Sequence, residues 1–128
     1  MQVTQNNNEK KAVLFVDDEK MVLEAGSMML QKLGYRVLTA CKGQEAIEIL
    51  KKNKIAIVLL DMQMPGMNGY ETYYQLKKIQ PKVKILLVSG YVGDQSEKRL
   101  ISIGFDGFIQ KPFDSKQLSE KIEDILVN

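Results

Sequence analysis

A chain of 128 residues with 18 basic and 16 acidic side chains, net charge +2, is one domain in length, able to bury about two-thirds of its unfolded surface without covalent staples. The single Cys41 excludes an internal disulfide and suits a reduced, cytoplasmic setting, the evenly spread charge offers no basic stripe for direct nucleic-acid binding, and no apolar stretch nears the roughly 20 residues of a membrane span. With no histidine, His-ligated metals, a Ser-His-Asp triad and a phosphohistidine of the chain's own are excluded.

Residues 1–11 are rich in Asn and Gln without periodicity and read as a flexible leader, so the domain is expected over 12–128. Ala12–Val16 is a continuous apolar strand followed by Asp17-Asp18-Glu19. Val22, Gly26, Met29, Leu30 and Leu33 then recur at helical spacing, and Gly34 stands where a helix C-cap takes a left-handed residue. On that helix Met21, Ala25 and Met28 form a second stripe, open to two readings: a docking surface, or packing against the adjacent helix.

Val37–Ala40 is the second strand, and a helix over Gly43–Lys52 buries Ala46, Ile47 and Leu50. The third strand, Ile55–Leu60, leads to Asp61 and then into Met62-Gln63-Met64-Pro65-Gly66-Met67-Asn68-Gly69, where Pro and Gly prevent further strand. A helix over Tyr70–Ile79 stops before Pro81. Ile85–Ser89 is the fourth strand, and the helix over 95–103 has mainly Leu100, Ile101 and Ile103 as anchors, so it should be the least firmly packed. Gly107–Ile109 is a short fifth strand followed by Gln110-Lys111-Pro112-Phe113; the last helix opens on Asp114 and Gln117 as a capping box and buries Leu118, Ile122 and Ile125.

Strands alternating with helices specify an α/β fold on a parallel sheet, and the near-continuous apolarity of the first, third and fourth strands makes them central. The strand ends then share one edge, which collects Asp17, Asp18, Asp61, Ser89 and Lys111. Carboxylates so gathered repel unless a cation joins them, and Mg2+ (or Mn2+) accepts a cup of carboxylates and a backbone carbonyl. Singly, each residue has a plainer reading: Asp17 and Asp18 as helix caps, Ser89 as a loop hydroxyl, Lys111 as a solvated charge.

Over 12–126 the chain resembles the receiver domains of response regulators in two-component signalling, chemotaxis regulators among them. The resemblance rests on Asp17-Asp18, Asp61 with its Met-Pro-Gly-Met-Asn-Gly loop, Ser89-Gly90 and Lys111-Pro112-Phe113. It implies a three-layer, flavodoxin-like doubly wound sheet in the order 2-1-3-4-5. It implies Asp61 as phosphoacceptor from the phosphohistidine of a histidine kinase or histidine phosphotransfer protein. Mg2+ would be held by Asp17, Asp18, Asp61 and the Gln63 main-chain carbonyl, and the phosphoryl oxygens met by Lys111 and Ser89.

The resemblance further implies a cis Lys111-Pro112 bond, a switch through Ser89 and Phe108 to the surface of the fourth helix, fifth strand and fifth helix, and control of phosphoryl lifetime by Gln63 and Tyr91. Phe108 lacks the tyrosine hydroxyl often found in the family, so any switch there works by ring packing; its plainer reading is a core aromatic. The segment Leu87–Tyr91 looks like receivers attached to hybrid histidine kinases, and a phosphorylation-dependent homodimer belongs to the partners the family uses. Two other classes share parts of this pattern. An Mg2+-dependent aspartate-nucleophile phosphatase typically has a second Asp where Gln63 stands, and a flavin or dinucleotide binder has a Gly-rich turn where Asp17-Asp18-Glu19 stands.

Overall fold

The computed structural model describes residues 10–62, 64, 66–90 and 96–127. The leader expected over 1–11 therefore lies outside the described residues except for Lys10 and Lys11, both exposed. Five strands, β1 (Ala12–Val16), β2 (Arg36–Ala40), β3 (Ile57–Asp61), β4 (Lys84–Ser89) and β5 (Gly107–Gln110), alternate with helices α1 (Lys20–Lys32), α2 (Gly43–Lys52), α3 (Gly69–Ile79), α4 (Ser96–Ile103) and α5 (Ser115–Val127). All strand pairings are parallel and the order is β2-β1-β3-β4-β5, the doubly wound arrangement expected.

Period-two alternation within each strand divides the core into two layers. Leu14, Val16, Val58, Leu60, Ile85 and Leu87 face α2, α3 and α4; Val13, Phe15, Ile57, Leu59, Leu86 and Val88 face α1 and α5. β1 and β3 are buried throughout, as sheet centres covered on both faces must be, while β2 and β5 are exposed edges.

Several boundaries move for local reasons. β3 begins at Ile57 because register pairing starts at Val13↔Ile57, and it ends on Asp61 itself, which pairs with Val88. α3 begins at Gly69 because Asn68 and Glu71 cap it reciprocally at 3.0 and 3.1 Å, a capping box the sequence reading passed over. On α1 the buried stripe is Leu23, Gly26 and Leu30, with Val22, Met29 and Leu33 only half-buried. The expected α1 terminus holds: Gly34 (φ +99°) and Tyr35 donate to Gln31 O and Leu30 O. The expected α5 box also holds, with Asp114 and Gln117 joined at 2.9 and 2.8 Å.

α4 is anchored more sparsely than its sequence suggests. Leu100 is buried, but Ile101 is 57% exposed and Ile103 only half-buried, and its main packing is on β5. Its C-terminal end is held from α3, where Tyr73 stacks on Phe105 at 4.3 Å and its hydroxyl donates to Ile103 O at 3.4 Å. Gly104 (φ +126°) closes that end, and a Cβ there would overlap the Tyr73 hydroxyl. Gly104→Ala is therefore expected to cost about 2–3 kcal/mol in urea denaturation, from backbone strain plus the clash, and only about 1 kcal/mol in a Tyr73→Phe background. Equal costs in the two backgrounds would remove Tyr73 from the account.

Candidate functional site

The carboxyl edge of the sheet carries the charged residues. Asp17 N still donates to Ala40 O at 3.1 Å, so the chain holds the line of β1 for one more residue and leaves the Asp17 side chain fully buried. Its Oδ1 accepts from Glu19 N at 2.9 Å, turning the chain into α1. Asp18 is exposed on the rim, and Asp61, 5% exposed, ends the central β3. Asp17, Asp18 and Asp61 each offer a carboxylate oxygen within 4.8 Å of the others.

Lys111 enters from the β5–α5 loop. Its main-chain N–H donates to Ser89 O at 2.7 Å, extending the β4–β5 ladder by one residue, and its peptide to Pro112 is cis. The ammonium lies 2.7 Å from Asp17 Oδ2, donates to Asp61 Oδ1 at 3.3 Å and comes within 3.9 Å of Glu19 Oε1. One side chain thus ties β1, β3 and β5 together at the point where the sheet opens. Gly69 completes the floor: its N–H donates to Met62 O at 2.9 Å, and a Cβ there would stand 2.8 Å from Met62 Cα and 3.1 Å from Asp61 O. Only glycine lets the first turn of α3 lie this close to the strand end.

Burial first, then the charge of Asp17 and more weakly of Asp18, pushes the Asp61 carboxyl up to about 6 against the opposing pull of Lys111. Burial alone would lower the Lys111 ammonium, but its contacts with Asp17 and Asp61 outweigh that and raise it. Three carboxylates against one ammonium leave a surplus of negative charge. At such separations each like pair costs on the order of 3 kcal/mol at an effective dielectric near 20, enough to favour a bound cation. The donor set fits a hard divalent ion. Every candidate ligand is oxygen, and the buried Asp17 Oδ2 is met by the ammonium as an ion pair but receives no well-aligned hydrogen bond.

Of the other residues named from sequence, Ser89 is buried at the end of β4, beside the strand that carries Asp61. Phe108 lies mid-β5 opposite Leu87, half-buried against the core layer under α4. Gln63 and Tyr91 lie outside the described residues. Sequence reasoning missed the pairing of Glu19 with Lys111 and the close approach of Gly69. The first had only the shared edge, which brings the residues after β1 near those after β5 without saying which side chains meet; the second had a weak signal in the Asn68-Gly69 step after a strand.

These features define a doubly wound α/β domain with an acidic, lysine-bridged site at the carboxyl edge of its sheet. The chain belongs to the response regulator receiver domain family, whose profile matches residues 13–123. It is 38% identical over 116 residues to the sensor kinase CckA of Brucella abortus, covering 89% of this chain and 12% of that one. It is 36% identical over 108 residues to the autoinducer 1 sensor kinase/phosphatase LuxN of Vibrio campbellii, covering 84% and 13%. Among solved structures, the response regulator TrrA of Thermotoga maritima, in complex with Mg2+-BeF, superposes with a TM-score of 0.80 at 33% identity, covering 91% of this chain and 99% of that one. The chain spans about an eighth to a half of the length of the curated relatives it matches. Its fold is that of a receiver in two-component signalling, and the acidic cluster is of the kind a phosphoacceptor site requires.

Proposed function

We propose that this domain takes a phosphoryl group from a partner's phosphohistidine onto Asp61 and relays the change through the surface of α4, β5 and α5. The single observation that carries the reading is the Lys111 ammonium bridging Asp17 and Asp61 across three strand ends. In the transfer, an Asp61 carboxylate oxygen bonds to phosphorus while the bond from phosphorus to the donor imidazole nitrogen breaks. Little covalent chemistry falls to the protein, so positioning and charge neutralisation do most of the work. Lys111 would release Asp61 to pair with a phosphoryl oxygen, and the Ser89 hydroxyl would donate to another. Asp17, Asp18, Asp61 and the Gln63 carbonyl would hold Mg2+, which supplies further neutralisation of phosphoryl charge when bound; a relative crystallised with Mg2+-BeF supports that choice. Gln63 and Tyr91 would set how long the phosphoryl group persists.

The module would act by changing its contacts and not by turning over a separate substrate, in the cytoplasm, either within a hybrid kinase or beside one. The sparse packing of α4 supports that face as the moving part, with the Phe108 ring filling space vacated beneath it. The donor's face would be α1. Met21 and Met28 are 83% and 60% exposed, and a groove of about 770 Å³ runs past Met28, Leu23 and Cys41 to Asp18.

The reading is tested by incubating the protein with acetyl phosphate and Mg2+: a phosphoryl mass increment is expected, absent in Asp61→Asn. A wild-type chain that takes up nothing would defeat it. For the docking face, Met21→Asp is expected to slow transfer from a histidine-phosphorylated donor about tenfold while leaving uptake from acetyl phosphate unchanged. Unaltered transfer would return Met21 to a surface role.

A further inference from the structure

Charges that alternate along the chain segregate once it folds. The loops entering the strands lie at the edge of the sheet opposite Asp61. Lys10 and Lys11 precede β1, Arg36 opens β2, Lys54 precedes β3, and Lys82 and Lys84 precede and open β4. Against them, the carboxylate in these loops among the described residues is Asp106, already engaged with Ile85 N at 2.8 Å and Lys84 at 3.9 Å. Part of this is the usual placing of cations near helix C-termini, which accounts for Lys32, Lys51 and Lys52. It does not account for Lys10, Lys11 and Arg36, which lie outside the helices.

Four of these cations share a concavity. A cleft of about 450 Å³ is walled by Lys10, Lys11, Arg36 and Lys54, with the small or apolar Ala12, Ile55 and Ala56 as its base. The base is fixed by the sheet: Arg36 N donates to Lys11 O and Ala56 N to Ala12 O, each at 2.9 Å, and Ala12 and Ile55 are buried. Among the described residues no acidic side chain lines the cleft and none pairs with its four cations. A recess with walls of one sign and a low-dielectric base focuses its field on what enters.

We propose that this cleft binds a small polyphosphate anion, pyrophosphate or the phosphate chain of a nucleotide. A monoanion would leave most of the wall charge unmatched, whereas linked phosphates place several charges and many acceptor oxygens within reach of four side chains. The fork of Arg36 can engage one phosphate bidentately, and the lysines act as point charges on the others. Because the cations are exposed, binding is salt-sensitive over the physiological range. The site is independent of Asp61, which lies at the opposite edge.

The test is an amide NMR titration of the full, metal-free chain with inorganic pyrophosphate at low salt. Saturable shifts centred on Lys11, Ala12, Arg36 and Ala56 are expected. Arg36→Gln with Lys54→Gln should weaken binding about tenfold or more, with phosphoryl uptake at Asp61 unchanged. Shifts that never saturate, that centre on Lys111, or that persist undiminished in the double variant would overturn the proposal. So would sedimentation of the chain with phosphatidylglycerol vesicles in the absence of saturable pyrophosphate binding, which would assign the same cations to a lipid surface.

Discussion

Asp61→Asn is expected to melt above the wild type in metal-free buffer at pH 7 while losing all phosphoryl uptake. The Asp61 carboxyl is raised to about 6 in the folded protein from a usual value of 3.8. Below roughly pH 4 both folded and unfolded chains hold this proton. Between about 4 and 6 the folded chain still holds it while the unfolded chain has released it, so stability falls as pH rises through that window. Above it the loss is complete. The full shift corresponds to about 3 kcal/mol, and solvent reaching the mouth of the cleft reduces this to about 1–2 kcal/mol. Removing the charge recovers that amount, about 3–8 °C in Tm for a domain of this size. The advantage should vanish near pH 4 and shrink when Mg2+ stabilises the wild type. A variant that melts below the wild type at pH 7, or a gap that does not narrow at pH 4, would mean that Asp61 is not held against its own charge.

Such a residue was legible as a candidate because the rule behind it is topological. Once Ala12–Val16, Ile55–Leu60 and Ile85–Ser89 read as buried parallel strands, their carboxyl ends had to share an edge, and that edge collected Asp17, Asp61 and Ser89. What a linear reading resolves poorly is rotation and distance. Leu23 and not Val22 turns inward on α1 because the whole helix is set by its seat over β1 and β2, and a shift of one residue lies within the width of an amphipathic stripe. Ile101 is apolar at helical spacing from its neighbours yet faces water, since α4 rests chiefly on the narrow edge strand β5 and cannot bury a second row. Charge was the least visible property. Eighteen basic residues dispersed among sixteen acidic ones read as featureless, because which loops end at which edge is decided by chain reversal and not by neighbours in sequence.

Lys111→Met gives the complementary result, because it removes the cation and keeps most of the aliphatic stem. The ammonium is the counter-charge of two buried carboxylates, at 2.7 Å from Asp17 and 3.3 Å from Asp61, and its own side chain is 19% exposed. Breaking a buried pair by deleting one partner leaves the other desolvated and unpaired, so the metal-free variant should lose about 2–4 kcal/mol, toward the low end where Asp61 can take up a proton. The same deletion makes the carboxylate cup more negative. Mg2+ should then bind about tenfold tighter and return most of the lost stability, a gain set by ligand concentration over dissociation constant. If Lys111 acts as proposed, uptake from acetyl phosphate should nevertheless fall about 100-fold or more even at saturating Mg2+, since the charge that would meet the developing phosphoryl oxygens is gone. The two readouts move in opposite directions, and that separates roles. A variant that binds Mg2+ more weakly would make Lys111 a mere organiser of the carboxylates, whereas one that binds it tightly and transfers at the wild-type rate would remove Lys111 from the chemistry and leave the bridge between β1, β3 and β5 as its whole purpose.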